Sequence, residues 1–214
     1  MDEFYYQLGQ IIGIILILYV CLNMAFRYLL PKIKGNLGEK QVTRILNKLD
    51  KNNYIVINDV ILEKKDGLTQ IDHIVVSTYG IFTIETKNYK GKIYGGEFSN
   101  VWTQYIGGKK YEFMNPIKQN YAHEKALEEL TKQKIIPIVA ISDNAEIKVK
   151  SKKPVVNFSK LMSTINNYQE RCCEYIEAEE IATAIINANV SSKETRKEHI
   201  RMIEKKKSIE PPKL

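Results

Sequence analysis

Cysteine and histidine are scarce, three of each in 214 residues, and that scarcity removes several chemistries at the outset. Cys21 lies in an apolar run and Cys172 and Cys173 are adjacent, so no disulfide framework or thiolate metal site has its usual spacing. Free thiols fit a reducing compartment. His73, His123 and His199 form no zinc-ligand pattern, and nothing supports a Lys/His nucleophilic scheme. Internal repeats are absent. One long stretch also lacks charge altogether, from Phe4 up to Arg27. A basic start and an Ala-x-Ala cleavage site are missing as well, which argues against a cleaved signal peptide.

What fills the uncharged stretch is aliphatic and almost continuous from Ile11 to Leu22. As a helix it would run roughly 35 Å, against roughly 30 Å of hydrocarbon to cross. Phe4, Tyr5 and Tyr6 stand at one end and Phe26 and Tyr28 at the other, where interfacial aromatics belong. Residues 4–30 are therefore expected to be a single-pass membrane anchor. Asp2 and Glu3 precede the span, and Arg27, Lys32 and Lys34 follow it. The positive-inside rule then places the amino terminus outside and the remaining chain in the cytoplasm, at the cell membrane.

The rest has ordinary apolar and charged content, enough for one packed domain with extras. Its formal charge of +7 for the whole chain favours an anionic partner, nucleic acid or acidic lipid. A short hinge is expected at Pro31–Gly35. Periodicity predicts a helix over 36–49 with Val42, Ile45, Leu46 and Leu49 inward, and three residues back along that stripe lies Glu39. Strands follow at 54–62, interrupted at Asn58-Asp59, and in a hairpin over 70–87 closed by Ser77-Thr78-Tyr79-Gly80. Short tyrosine-rich strands around 92–94 and 101–106 continue a mostly antiparallel meander, with Lys109, Lys110 and Tyr111 beyond. Asn115-Pro116 opens a helix to about 134, with Gln119, His123, Ala126, Leu127 and Leu130 on one face. His123 is expected as a partly buried, hydrogen-bonded helix residue. An apolar strand at 135–141, another at 154–156, a short helix near 161–168 capped by Ser159, and a helix over 177–190 complete helices packed on a mixed sheet. Residues 193–207 carry seven Lys/Arg against three Glu, a solvated basic helix, and 208–214 form a frayed tail.

The chemistry concentrates on the hairpin. Alternation puts Glu85 and Lys87 on one face of its second run and Thr86 on the other, with Asp72 on the facing run. Unpaired charges beside a core resist desolvation. One resolution is an exposed cross-strand ion pair. The other is a divalent metal with a phosphate: Mg²⁺ takes one or two carboxylates and keeps several waters, with Mn²⁺ as a substitute. In that case Asp72 and Glu85 are the ligands, the Thr86 carbonyl is a further one, and Lys87 faces the attacking water and the scissile phosphate.

Four blocks in order resemble the nuclease-related domain of the PD-(D/E)XK nuclease superfamily. They are Gly35-Asn36-Leu37-Gly38-Glu39, Thr69-Gln70-Ile71-Asp72-His73-Ile74-Val75-Val76, Gly80-Ile81-Phe82-Thr83-Ile84-Glu85-Thr86-Lys87-Asn88-Tyr89-Lys90-Gly91 and Asn115-Pro116-Ile117-Lys118-Gln119-Asn120. Ile71 stands where the superfamily's name has proline. The resemblance implies an α/β (α+β) fold, a restriction-endonuclease-like mixed sheet flanked by helices. It also implies a Mg²⁺-dependent nuclease acting on nucleic acid, DNA in preference to RNA, in DNA processing. Asp72 and Glu85 would bind metal, Lys87 would orient water, Glu39 would support the metal site, and Gln119 would position water or phosphate. The expected layout is then an anchor at 4–30, the nuclease-like domain at 34–145, its extension at 146–190 and a basic tail at 191–214. Two other readings are a silent nucleic-acid-binding module on the same fold, and a membrane-anchored interaction protein.

Overall fold

The structure is a computed structural model and describes residues 2–64 and 67–190; the predicted basic tail lies outside the described residues. It begins with one helix, α1 (Asp2–Leu46). Its segment Tyr5–Phe26 is long and apolar enough to cross a membrane, and none of it is buried against the rest of the chain. The hinge expected at Pro31–Gly35 is not there, because α1 runs on through it. Helix on both sides has already met the cost of nucleation, so a single proline need not end it. Only the last turns of α1 enter the domain, through Val42 and Leu46, with Leu49 beyond the helix end.

The domain is built on two sheets. Strands β1 (Tyr54–Lys64), β2 (Gly67–Ser77), β3 (Gly80–Lys87), β7 (Ile135–Ile141) and β9 (Val155–Asn157) form the first, in the order β1-β2-β3-β7-β9. The first three are antiparallel neighbours, and β7 and β9 run parallel to β3. The β2–β3 turn closes as expected, with Gly80 at φ +135 and the Ser77 hydroxyl donating to the Gly80 carbonyl. The second sheet has the order β6-β5-β4-β8, from β4 (Gly91–Gly96), β5 (Val101–Ile106), β6 (Lys109–Met114) and β8 (Ala145–Lys150).

Helices cover both faces of the first sheet. α1 and α3 (Phe158–Asn166) pack on Val75, Phe82, Ile84, Ile138 and Ala140. α2 (Pro116–Thr131) and α4 (Tyr175–Asn187) pack on Ile57, Val60, Ile71, Ile74 and Val76. The second sheet closes over Ile93, Trp102, Ile117, Val139 and Ile141. Two expectations shift. α3 starts at Phe158 rather than being capped by Ser159; the Ser159 amide instead donates to the carboxylate of Asp143. Leu130 is exposed, since α2 turns its last round away from the sheet, and Asn120 takes a buried place on that face.

One close approach fixes how α1 meets the sheet. A Cβ added at Gly38 would lie 2.7 Å from the Asn88 Cβ and 3.5 Å from the Thr86 methyl. Gly38→Ala is therefore expected to cost about 1–3 kcal/mol through forced separation of α1 from β3. Gly35→Ala, whose nearest neighbour is the tip of Glu39 at 4.0 Å, is expected to stabilise the helix by about 0.5–1 kcal/mol. Thermal unfolding of the two variants should move in opposite directions; equal shifts would mean that the glycine contact is loose.

Candidate active site

The second strand of the hairpin delivers three side chains in sequence, and the sheet sorts them by face. Glu85 and Lys87 turn toward α2, and Thr86 turns toward α1. The ladder between β2 and β3 runs from Ser77↔Gly80 to His73↔Ile84 and goes no further. At the next rung Asp72 takes the Thr86 amide with its carboxylate, at 2.9 Å. Asp59 lies opposite Asp72 in the β1 register, and it has a left-handed φ of 58. The normal alternation fails here: Ile71 and Ile74, three apart, both reach the α2–α4 side. This local break turns Asp72 toward the end of β3, and the sequence marked it only as an interruption at Asn58-Asp59.

Ladder geometry also places the Thr86 carbonyl. The Lys87 carbonyl takes the Ser142 amide on the β7 side. The Thr86 N–H therefore points the other way, at Asp72, and its carbonyl shares that side. Asp72 and the Thr86 carbonyl thus face one gap.

α2 supplies the other wall. Asn115 accepts from the Ile117 amide as N-cap, and its own amide donates to the carbonyls of Gly96, Glu97 and Ser99. One turn on, the Asn120 amide donates to the carbonyls of Thr83 and Ile138, pinning α2 across β3 and β7. Gln119 and His123 flank that pin. Lys87 Nζ donates to Gln119 Oε1 at 3.0 Å and pairs with Glu85 Oε1 at 2.7 Å. His123 Nε2 lies 3.1 Å from Glu85 Oε2, and its Nδ1 lies 2.7 Å from the Thr69 hydroxyl. His123 and Thr69 are the partners that helical spacing alone did not assign; only the β2–α2 packing brings them to Glu85.

The electrostatics are those of charges crowded out of water. Burial, then the charge of Glu85, holds the Asp72 carboxyl well above the ordinary carboxylate range, against the Thr86 amide that favours ionisation. Burial pushes Glu85 up most strongly, but Lys87 and His123 outweigh it and its carboxyl sits below the ordinary value. Lys87 is raised despite burial because Glu85 holds its charge. Glu39, half-buried on α1, is raised by burial and then by Asp59 and Glu85. It is a charged neighbour of the cluster rather than a hydrogen-bonded member.

These donors fit a hard divalent cation. Two carboxylates that repel one another, with a backbone carbonyl alongside, are oxygen ligands of the kind Mg²⁺ accepts while retaining water. A cation there would offset the repulsion that raises Asp72. Among the described residues no three His, Cys, Asp or Glu side chains gather tightly enough to hold a metal unaided. A cation here would need the Thr86 carbonyl and water beside the two carboxylates.

His73, next to Asp72, is part of the frame. Its Nδ1 lies 2.7 Å from the side-chain oxygen Oδ1 of Asn58, so that nitrogen carries the proton, and its Nε2 is buried with no partner among the described residues. Burial pushes its pKa down from 6.5 to about 4. The folded state thus resists protonation: His73's contribution is full above pH 6.5 and is lost as pH falls toward 4, to a total of about 3 kcal/mol. An NMR titration of the ring should have its midpoint near 4; a midpoint above 6 would mean a wetter site.

Sheet order, strand-borne Asp and Glu-x-Lys, a helix glutamate before them and a helix glutamine after them together define a PD-(D/E)XK-like nuclease fold. The nuclease-related domain model matches residues 34–142, about half the chain. The protein belongs to the nuclease-related domain family, within that superfamily. It is also similar to an uncharacterized protein of Bacillus anthracis, 38% identical over 200 residues that cover 90% of this chain and 94% of the relative. The likeness to that relative therefore extends well outside the family-matched region. No solved structure matches the chain.

Proposed function

We propose that the protein is a membrane-tethered, metal-dependent nuclease that hydrolyses phosphodiester bonds, DNA in preference to RNA, in DNA processing. The observation that carries this reading is that Asp72 accepts the Thr86 amide where β2 and β3 part, beside the Glu85–Lys87 pair whose Glu85 charge it feels. A bound Mg²⁺ would supply neutralisation of phosphate charge and acidification of a water. Asp72, Glu85 and the Thr86 carbonyl would hold it, with Glu39 adding negative charge nearby. Lys87 stands at the rim of this cluster, 19% exposed, where a cation meets the scissile phosphate or the attacking water. Gln119 holds the Lys87 ammonium in that direction.

Full-length protein in detergent micelles, mixed with plasmid, single-stranded DNA and RNA, tests the reading. Mg²⁺ or Mn²⁺ should support cleavage of DNA faster than RNA, and EDTA should stop it. Tight, salt-dependent binding without cleavage would instead identify a silent binding module. Neither binding nor cleavage would leave an interaction protein. The cytoplasmic placement is tested by exposed Cys172. An impermeant maleimide should label it only after lysis, and labelling in intact cells would reverse the orientation.

A further inference from the structure

Glu85 is held from two sides by groups of very different character. Its Oε1 meets Lys87, whose side chain reaches solvent and is shared with Gln119. Its Oε2 meets His123, which is 4% exposed and backed by Thr69, itself buried. The first contact stands at the rim. The second is closed off from water. A carboxylate only accepts hydrogen bonds, so His123 Nε2 carries the proton in this contact. In the neutral ring Nδ1 is then the acceptor, and the Thr69 hydroxyl donates to it.

We propose that His123, oriented by Thr69, is a positioning residue for the metal-binding carboxylate. It fixes Oε2 on the α2 side, so that Oε1 is the oxygen presented to the cation and to Lys87. The inference rests on the metal-site reading above. Three features favour it over simple core filling. The contact is made to the one Glu85 oxygen that Lys87 does not hold. The residue behind it is a hydroxyl that fixes ring orientation, where an apolar neighbour would fill space equally well. And α2 is pinned three residues away by Asn120, so the ring has a fixed base. A ligating carboxylate free to rotate would have to be ordered at each binding event, and outer groups of this kind commonly account for a 10- to 100-fold difference in metal affinity or activity.

The test is calorimetric titration of Mn²⁺ into full-length protein in detergent micelles, with melting in EDTA and DNA cleavage followed in parallel. His123→Leu is expected to weaken Mn²⁺ binding about 10- to 100-fold. His123→Gln, whose amide can donate to the same oxygen, should recover most of that loss. Thr69→Val should move in the same direction by less, and Thr69→Ser should resemble wild type. If His123→Leu does not fold, Thr69→Val decides by the same readout. A lower melting temperature in EDTA with unchanged Mn²⁺ affinity would overturn the proposal, since a purely structural role predicts that result. Wild-type binding and cleavage that ignore His123 would sink this inference and leave the nuclease reading standing. Mn²⁺ binding that depends on His123, without cleavage of any substrate, would do the reverse. A wild-type protein that binds no Mn²⁺ would overturn both.

Discussion

Asp72→Asn protein should melt at a higher temperature than wild type in EDTA and should cleave nothing. The two effects have one cause. Burial and the nearby Glu85 charge raise the Asp72 carboxyl, which means that the ionised form is disfavoured in the fold. Asparagine keeps an oxygen for the Thr86 amide and removes the repulsion. A gain of about 1 kcal/mol would appear as about 2–4 °C in a chain of this size. The sign with pH follows. A carboxyl whose folded pKa is raised contributes stability that is present at low pH and lost as pH rises through the folded value. The wild-type advantage on acidification, above the ordinary carboxylate range, should therefore be missing from Asp72→Asn. Activity runs the other way, because the same carboxylate is the proposed cation ligand. Losing several kcal/mol of transition-state stabilisation corresponds to a rate loss of about a thousandfold or more. Mn²⁺ at about a hundred times its dissociation constant should stabilise wild type by about 2.7 kcal/mol and leave the variant where it was. A variant that is destabilised in EDTA would show Asp72 to be a structural anchor instead.

The second large effect belongs to Lys87. Glu85 is 1% exposed, and Lys87 neutralises it at 2.7 Å. Removing one partner of a buried pair typically costs about 3–5 kcal/mol, because the charge left behind has no water to turn to. His123 remains beside Glu85, so Lys87→Met is expected near the lower end, about 3 kcal/mol. Glu85→Gln added to Lys87→Met should restore much of the loss, since the stranded charge goes with it. The coupling from such a cycle should therefore be large, about 1–3 kcal/mol. Additive single effects would mean that water reaches Glu85 and that the pair is weaker than its geometry. In the proposed mechanism both variants are inactive, Glu85→Gln for want of a cation ligand and Lys87→Met for want of the ammonium at the phosphate.

These residues were legible in the sequence to different depths, for physical reasons. The hairpin could be read because β-branched runs on either side of a turn with glycine leave few alternatives. Strand alternation then put Glu85 and Lys87 on one face without further information. Gln119 followed from helical spacing after a strong Asn-Pro start. Glu39 was placed correctly toward the protein, though the structure makes it an electrostatic neighbour only. Asp59 was seen as a break in a strand, but its position opposite Asp72 depends on a register that no local pattern states. His123 and Thr69 lie 54 residues apart and meet only through the packing of α2 on β2. β6 is not legible because Lys-Lys-Tyr-Glu-Phe-Met is an almost wholly exposed edge strand, whereas β8, Ala-Glu-Ile-Lys-Val-Lys, alternates apolar and charged residues in step with its burial and was readable as a half-exposed edge strand. The hinge at Pro31 was over-read, since proline disfavours helix without always ending it.

The proposed tether has a geometric consequence. α1 runs unbroken from the segment apolar enough to cross a membrane to Leu46, so Gly38 and Glu39 sit on the same helix as that segment. From Phe26 to Glu39 a continuous helix rises about 20 Å. In the proposed topology the cluster would then be held at a set height above the cytoplasmic face.

Cleavage of supercoiled plasmid by full-length protein, with Asp72→Asn and Glu85→Gln run beside wild type, tests the central claim most directly. The account predicts nicking or linearisation in Mg²⁺, none in EDTA, and loss of both products in either variant while both still melt cooperatively. Cleavage that persists undiminished in folded Asp72→Asn and Glu85→Gln would contradict it.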